Sequence, residues 1–186
     1  LIFNSIIDNT MNKFATGLNF TYDKYSEFVN VNDYSRIDNT VGAFFEYTYD
    51  NSDNFSLILG GGIDYGNRLG VFATPRLHAR YNPWENGVLR FSAGRGKREA
   101  NIFAENQTYF ASSRTFNIMD AGGEIYGLDP EIAWNYGLSF MQGFTLFNQK
   151  GDVGFDFYRT DFQNQVVVDV MESPQEVIFH NLDGTS

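Results

Sequence analysis

A chain of 186 residues with a formal net charge of −10 has the length of one domain and is too acidic for general nucleic-acid binding, which needs a basic face to neutralise phosphates. No run reaches the roughly 18 consecutive apolar residues of a membrane-spanning helix, and the absence of Cys removes disulfides and thiolate metal sites. The 19 Phe, 11 Tyr and 18 Gly favour strands joined by tight turns. The first residues, Leu1-Ile2-Phe3-Asn4, carry no initiator Met, basic segment or apolar signal region, so the chain reads as a mature protein or a piece of a longer one.

About eight strands follow one another. The first, 11–22, sets Phe14, Leu18, Phe20 and Tyr22 against Ala15, Gly17, Asn19 and Thr21. The second, 40–49, sets Val41, Ala43, Phe45, Tyr47 and Tyr49 against Gly42, Phe44, Glu46 and Thr48. Successive side chains of a strand point to opposite faces, so each of these strands has one apolar, aromatic face and one small or polar face. A polar turn at 50–54 leads to the third strand, 55–65, and the fourth runs 72–81. Asn82-Pro83-Trp84-Glu85-Asn86-Gly87 is a second turn, and the fifth strand is 88–95. A long irregular segment, 96–128, has room for a short helix at 101–112. The sixth strand is 131–141, the seventh 153–170 with a break near Asn164, and the eighth starts at Val177 and runs on to the end of the sequence.

Compact turns at 50–54, 82–87 and 142–152 alternate with connections at 23–39, 66–71, 96–128 and 172–176, two of them long. Long loops on one rim and short turns on the other are a property of outer-membrane barrels, the long side being extracellular. Alternation by itself fits a soluble sandwich or a lipocalin-like barrel as well. Three features favour lipid. Several strands reach the length of a tilted membrane strand. Tyr22, Tyr47, Tyr49, Tyr65, Tyr81 and Trp84 gather at strand ends. Arg76, His78 and Arg80 share the parity opposite Pro75, Leu77, Ala79 and Tyr81. An Arg facing the bilayer midplane costs about 2–4 kcal/mol, which directs this basic parity to a lumen. Arg95 falls on the apolar parity, near the rim where a long side chain reaches water cheaply. Pro75 lacks a ladder donor and predicts a bulge or weakened pairing inside the fourth strand.

Pro75-Arg76-Leu77 with Tyr81-Asn82-Pro83 resembles a barrel strand and periplasmic turn of the TonB-dependent outer-membrane receptor family. Gly94-Arg95-Gly96-Lys97-Arg98 leading into Asn101-Ile102-Phe103-Ala104-Glu105 resembles its Gly-Arg-Gly-aromatic-Arg-x-Pro-Asn segment, with Lys97 and Ala100 in place of the aromatic and the proline. Leu128-Asp129-Pro130-Glu131 with Trp134-Asn135-Tyr136-Gly137 looks like the strand after the long loop. The run from Asp156 to Val166 is the closest match, and Asn181–Ser186 resembles the start of a next strand. The resemblance implies a 22-stranded antiparallel barrel in the bacterial outer membrane, filled by a plug domain and energised by a TonB complex. Its work is the uptake of a scarce siderophore, cobalamin or glycan, without catalysis and without a cofactor. Nothing in the sequence resembles the plug, the TonB box or a terminal aromatic strand, so the chain is expected to be a partial barrel. Two other readings fit the residues: a complete eight-stranded barrel with a structural or adhesive role, and a soluble β-domain that binds a ligand or carbohydrate.

Other motifs have bland explanations. Gly60-Gly61-Gly62 and Gly94-Arg95-Gly96-Lys97 do not fit a phosphate-binding loop, and wall packing accounts for their glycines. His78 and His180 lack metal-ligand spacing. Glycosylation-type sequons at Asn19, Asn54 and Asn106 read as chance matches. Asp23, Glu27, Asp33 and Asp38 share one loop, where a solvated acidic surface is the expectation over a Ca²⁺ site. Arg76, His78, Arg80 and Arg90 are expected to face the plug. Tyr109, Phe110 and Arg114 of the long loop are candidates for ligand capture, weighed against simple packing of that loop on the rim.

Overall fold

A computed structural model describes residues 1–7, 10–29, 31–51 and 53–182. In chain order its strands are β1 (Ile2–Ile6), β2 (Asn12–Tyr25), β3 (Phe28–Val29), β4 (Asn32–Asp33), β5 (Arg36–Asp50), β6 (Phe55–Gly66) and β7 (Gly70–Tyr81). They continue as β8 (Gly87–Arg98), β9 (Thr115–Ile118), β10 (Glu131–Leu146), β11 (Gln149–Gln163), β12 (Gln165–Asp169) and β13 (Glu176–Leu182). A one-turn helix α1 (Ile102–Glu105) and a 3₁₀ segment at Gln107–Ala111 stand between β8 and β9.

The two-residue alternation becomes one antiparallel meander, β1-β2-β5-β6-β7-β8-β10-β11, whose first and last strands do not meet. Register holds the two parities apart across the sheet. Tyr47 pairs with Leu59 and Leu59 with Leu77, while one step along Glu46 pairs with Gly60 and Gly60 with Arg76. An Arg76–Glu46 ion pair of 2.6 Å spans Gly60 and confirms that these groups share a face. The opposite face holds Phe20 at 68% exposure, Ile63 at 62% and Phe155 at 65%. A soluble sandwich would cover that face with a second sheet. Among the described residues every buried apolar side chain lies outside this wall. An apolar face of this extent with no covering layer is a surface for lipid.

The short turns form on one rim for local reasons. Asn51 Oδ1 accepts the backbone N–H groups of Asp53, Asn54 and Phe55, which closes the polar turn expected there. Gly87 permits the Trp84 ring to lie on the chain, because a Cβ at that position would fall 2.5 Å from Trp84 Nε1. The β10–β11 hairpin turns through Phe147 and Asn148, both with positive φ, so the turn is shorter than the expected 142–152 and both strands run into it.

Three features differ from the sequence reading and one, at Pro75, agrees with it. Strand β1, unpredicted, pairs with β2 along Ile2–Ile6. Pairing of β7 with β8 covers only Arg76–Tyr81, stopping at the residue after Pro75, the weakened ladder expected of that proline. The predicted seventh strand divides at Asn164, which has a φ of 55°, so that β11 stays in the wall and β12 leaves it. The predicted eighth strand is β13, and it is not a wall strand either. It lies between β12 and β9 in a separate three-stranded sheet, parallel to β9. Val177, Ile178 and Phe179 are buried in succession, which a strand with one lipid face and one wet face does not allow. Residues 183–186, read as part of that strand, lie outside the described residues.

The β12-β13-β9 sheet, α1 and the long connections form a cap on the long-loop rim. Its core gathers Ala100, Ile102, Phe103, Leu128, Val177 and Phe179, with Val29 and Tyr34 of the β2–β5 loop packed against them. The helix expected at 101–112 is realised as α1 and the 3₁₀ turn, with the Asn101 side chain accepting from the N–H of Ala104.

Candidate functional site

Two groupings of polar side chains stand out, one under the cap and one on the polar face of the wall. In the first, Arg36 opens β5 with only 6% of its side chain exposed. Its Nη1 donates to Glu27 at 2.6 Å and to the Tyr126 hydroxyl at 3.0 Å, its Nε donates to Asp38 at 3.1 Å, and its guanidinium lies 4.0 Å from the centre of the Tyr25 ring. Arg68, from the β6–β7 turn, reaches the other oxygen of Asp38 at 3.0 Å. Tyr126 also donates to Glu27, and Asn101 lies within hydrogen-bond reach of its hydroxyl. Burial works against the Arg36 charge, but the bonds from Glu27 and Tyr126 outweigh it and hold the guanidinium proton more tightly. Burial, and then the Glu27 carboxylate, raise the Tyr126 phenol above its ordinary range. Nearby Glu99 is raised as well, by burial first and then by Asp38.

A second knot fixes the far side of the cap. Glu131 starts β10 with 8% of its side chain exposed, and its Oε2 accepts from Arg98 Nη2 at 2.6 Å. Its other oxygen accepts the Val166 N–H at 3.0 Å, and Arg98 continues to Glu105 of α1. Three chain segments far apart in sequence are thereby tied to one rim.

On the wall, the expected basic parity lies on the polar face. Arg76 is held by Glu46, and Asn19 donates to Asp64 at 3.2 Å on the same side. His78 pairs with Ser92 in the register, and Arg80 lies directly opposite Arg90. A cleft of about 370 Å³ opens here, lined by His78, Arg80, Arg90, Ser139 and Tyr158 among others. Its floor is Gly137, where a Cβ would fall 2.5 Å from Ser92 Oγ and 3.1 Å from the Tyr158 ring. Arg95, read as turning to the membrane rim, instead uses the gap beside Pro75: Nη1 donates to the Ala73 carbonyl at 3.3 Å and the guanidinium sits 4.5 Å from the Phe72 ring centre. Lys97 donates in the same way to the Leu69 carbonyl at 3.0 Å. The two cations thus occupy carbonyls of β7 and of the turn before it, along the stretch where the ladder from β7 to β8 is missing.

Of the long-loop candidates, Tyr109 packs against the cap core, the Phe110 ring lies tilted with its centre 4.7 Å from that of Phe116, and Arg114 donates to the Val170 carbonyl at 3.1 Å. The loop acids do not converge on a point. Glu27 and Asp38 are engaged by Arg36, and Asp33 accepts the Ser35 N–H within its own turn. His180 pairs with Val167 in the cap, apart from His78 on the wall. Arg36, Tyr126, Arg98 and Glu131 escaped the sequence reading. The one available signal was Arg36 within three residues of Asp33 and Asp38, in a loop whose other cation is Lys24.

The family model described as TonB dependent receptor-like, beta-barrel, matches residues 4–185. Among solved structures, the siderophore receptor PirA from Pseudomonas aeruginosa superposes with a TM-score of 0.68 at 14% identity, over 98% of this chain and 33% of that one. A mutant of the ferric enterobactin receptor PfeA from the same organism, in complex with enterobactin, gives a TM-score of 0.67 at 14% identity over 97% of this chain and 30% of that one. At such identities the likeness is one of fold, and this chain spans about a third of either receptor's length. No curated protein matches in sequence.

Proposed function

Because the chain belongs to the TonB-dependent receptor β-barrel family, we propose that it forms an arc of the wall, with its cap, of an outer-membrane receptor that carries a scarce nutrient inward by energised transport. The observation that carries this reading is the uncovered apolar face of the eight-stranded sheet, backed by a charged face and bounded by loops on one rim and short turns on the other. On this reading the apolar face meets outer-membrane lipid, the polar face is the lumen and the cap is extracellular. The rest of the barrel and a plug domain belong to the full-length receptor, which works with a TonB complex. Arg76, His78, Arg80 and Arg90 face that plug. The small ligand is a siderophore, the class named for the solved receptors of this fold, ahead of cobalamin or a glycan. Tyr109, Phe110 and Arg114 contribute to its capture through whatever surface their packing leaves open; Phe110 remains 46% exposed.

Fractionation of cells expressing the full-length protein should place it in the outer membrane, with radio-iron accumulating from ferric enterobactin only when TonB is present. Recovery in the soluble fraction overturns the membrane reading, and equal accumulation without TonB overturns energised transport. Replacing Tyr109, Phe110 and Arg114 with Ala should weaken chelate binding while the cap keeps its hydrogen-exchange protection. Equal loss of both would assign the three residues to packing alone.

A further inference from the structure

A cavity of about 270 Å³ lies between the β6–β7 turn and the cap, at the rim where β7 and β8 lose their ladder. Its floor is apolar: Ala100, Ile125 and Leu128 are buried there, beside Val166 of β12. Its charged lining is mixed, with Arg68 and Lys97 as cations and Glu99, Glu124 and Asp129 as carboxylates. An apolar pocket with a few polar groups converging on it is the usual form of a small-molecule site.

These charges do not satisfy one another. Arg68 gives its Nε to Asp38, and its two terminal nitrogens make no hydrogen bond among the described residues. Lys97 gives one bond, to the Leu69 carbonyl, and lies 5.0 Å from the centre of the Phe72 ring, whereas an ammonium has three N–H donors. Glu99 is half-buried two residues further on, and it makes no hydrogen bond or ion pair among the described residues. Burial, and then Asp38, oppose its charge. Asn181 holds the Asp129 backbone on both sides, accepting its N–H and donating to its carbonyl, each at 2.9 Å, which leaves the Asp129 carboxylate to the cavity. Glu124 is exposed to water.

We propose that this cavity binds a free α-amino acid with an aliphatic side chain, its ammonium on Glu99 and Asp129, its carboxylate on Lys97 and Arg68, and its side chain over Leu128 and Val166. A simple cation would be held beside Lys97 and Arg68, and a simple anion beside Glu99 and Asp129. Only a ligand carrying both charges pairs each of them with its opposite. Pockets for drug-sized ligands measure about 300–1,000 Å³, so this smaller one is separate from any site for a bulky iron chelate. The ligand would touch the end of β8, the β6–β7 turn and the 122–130 segment together, and its binding would stabilise their contact.

Calorimetric titration of the full-length protein in lipid with L-leucine should show saturable binding, and hydrogen exchange at 120–130 should slow as the site fills. Isocaproate, which lacks the ammonium, and isoamylamine, which lacks the carboxylate, should each bind at least tenfold more weakly. Isoamylamine as tight as leucine would make this a cation site, and isocaproate as tight would make it an anion site. Either result overturns the proposal, as does the absence of leucine binding. Glu99→Gln and Lys97→Met should each weaken leucine binding at least tenfold, while exchange in the cap without leucine is no faster than in the wild type. Unchanged affinity in both variants would place the ligand elsewhere and overturn the assignment to these residues. Should a variant fail to fold, the comparison of the three ligands on the unaltered protein decides.

Discussion

The wall and the cap of this chain are stabilised by opposite means. The wall contains no buried apolar side chain among its described residues, and its order comes from continuous antiparallel ladders, such as the fifteen paired positions of β10 and β11. The cap has short, irregular elements but a packed core around Phe103 and Phe179 and two ion-pair knots, one around the buried Arg36 and one around the buried Glu131. A backbone surrounded by hydrocarbon must satisfy its own hydrogen bonds, so ladders suffice where lipid supplies the apolar contact. Loops standing in water must gather their own core.

That contrast can be broken by substitution. Phe179→Ala, at a fully buried cap position, should cost about 3–5 kcal/mol and release hydrogen exchange through 99–130 while the wall amides keep their protection. Loss of protection in both regions together would show that cap and wall are one cooperative unit. Arg36→Leu leaves the largely buried Glu27 without a cation, while Asp38 keeps Arg68, and should cost about 3–5 kcal/mol, again confined to the cap in a denaturant melt followed by exchange. On the wall, Leu59→Arg places a cation on the lipid face and should cost about 2–4 kcal/mol, whereas Thr48→Arg, on the polar parity, should refold in lipid with little change. Equal penalties would mean that the two faces are wrongly assigned.

The smallest effect concerns pH. Glu99 has a raised pKa, from burial and then Asp38, so the folded cap holds this proton where the unfolded chain has lost it. Its contribution is therefore most favourable below the ordinary carboxylate range and declines as pH rises through the raised value. Glu99→Gln should match the wild type in acid and exceed it in cap stability at neutral pH, measured by exchange at the two pH values.

Much of the wall was legible because its code is local. The parity that separates Glu46 from Tyr47 and Arg76 from Leu77 repeats every two residues and needs no knowledge of the partner strand. Asn51 and Gly87 marked their turns for the same reason. Strand β1 was overlooked because Ile2–Ile6 is short and is separated from β2 by few residues. The cap was misread in proportion to its non-local contacts. Val177-Ile178-Phe179 is an apolar run that fits a buried strand anywhere, and only Val166, Val168 and Phe116 around it identify a cap core. Arg36 and Tyr126 are 90 residues apart, and no spacing rule connects them.

The sequence by itself determined the alternating faces, the rim to which each connection belongs and the parity on which Arg76, His78, Arg80 and Arg90 stand, because these follow from strand geometry and the energetic cost of a charge in lipid. Tertiary structure alone decided that β12 and β13 leave the wall, that Glu27 and Asp38 serve Arg36, and that Arg80 opposes Arg90. Each of those depends on which distant segment becomes a neighbour, and the side-chain period of a single strand does not specify its partner.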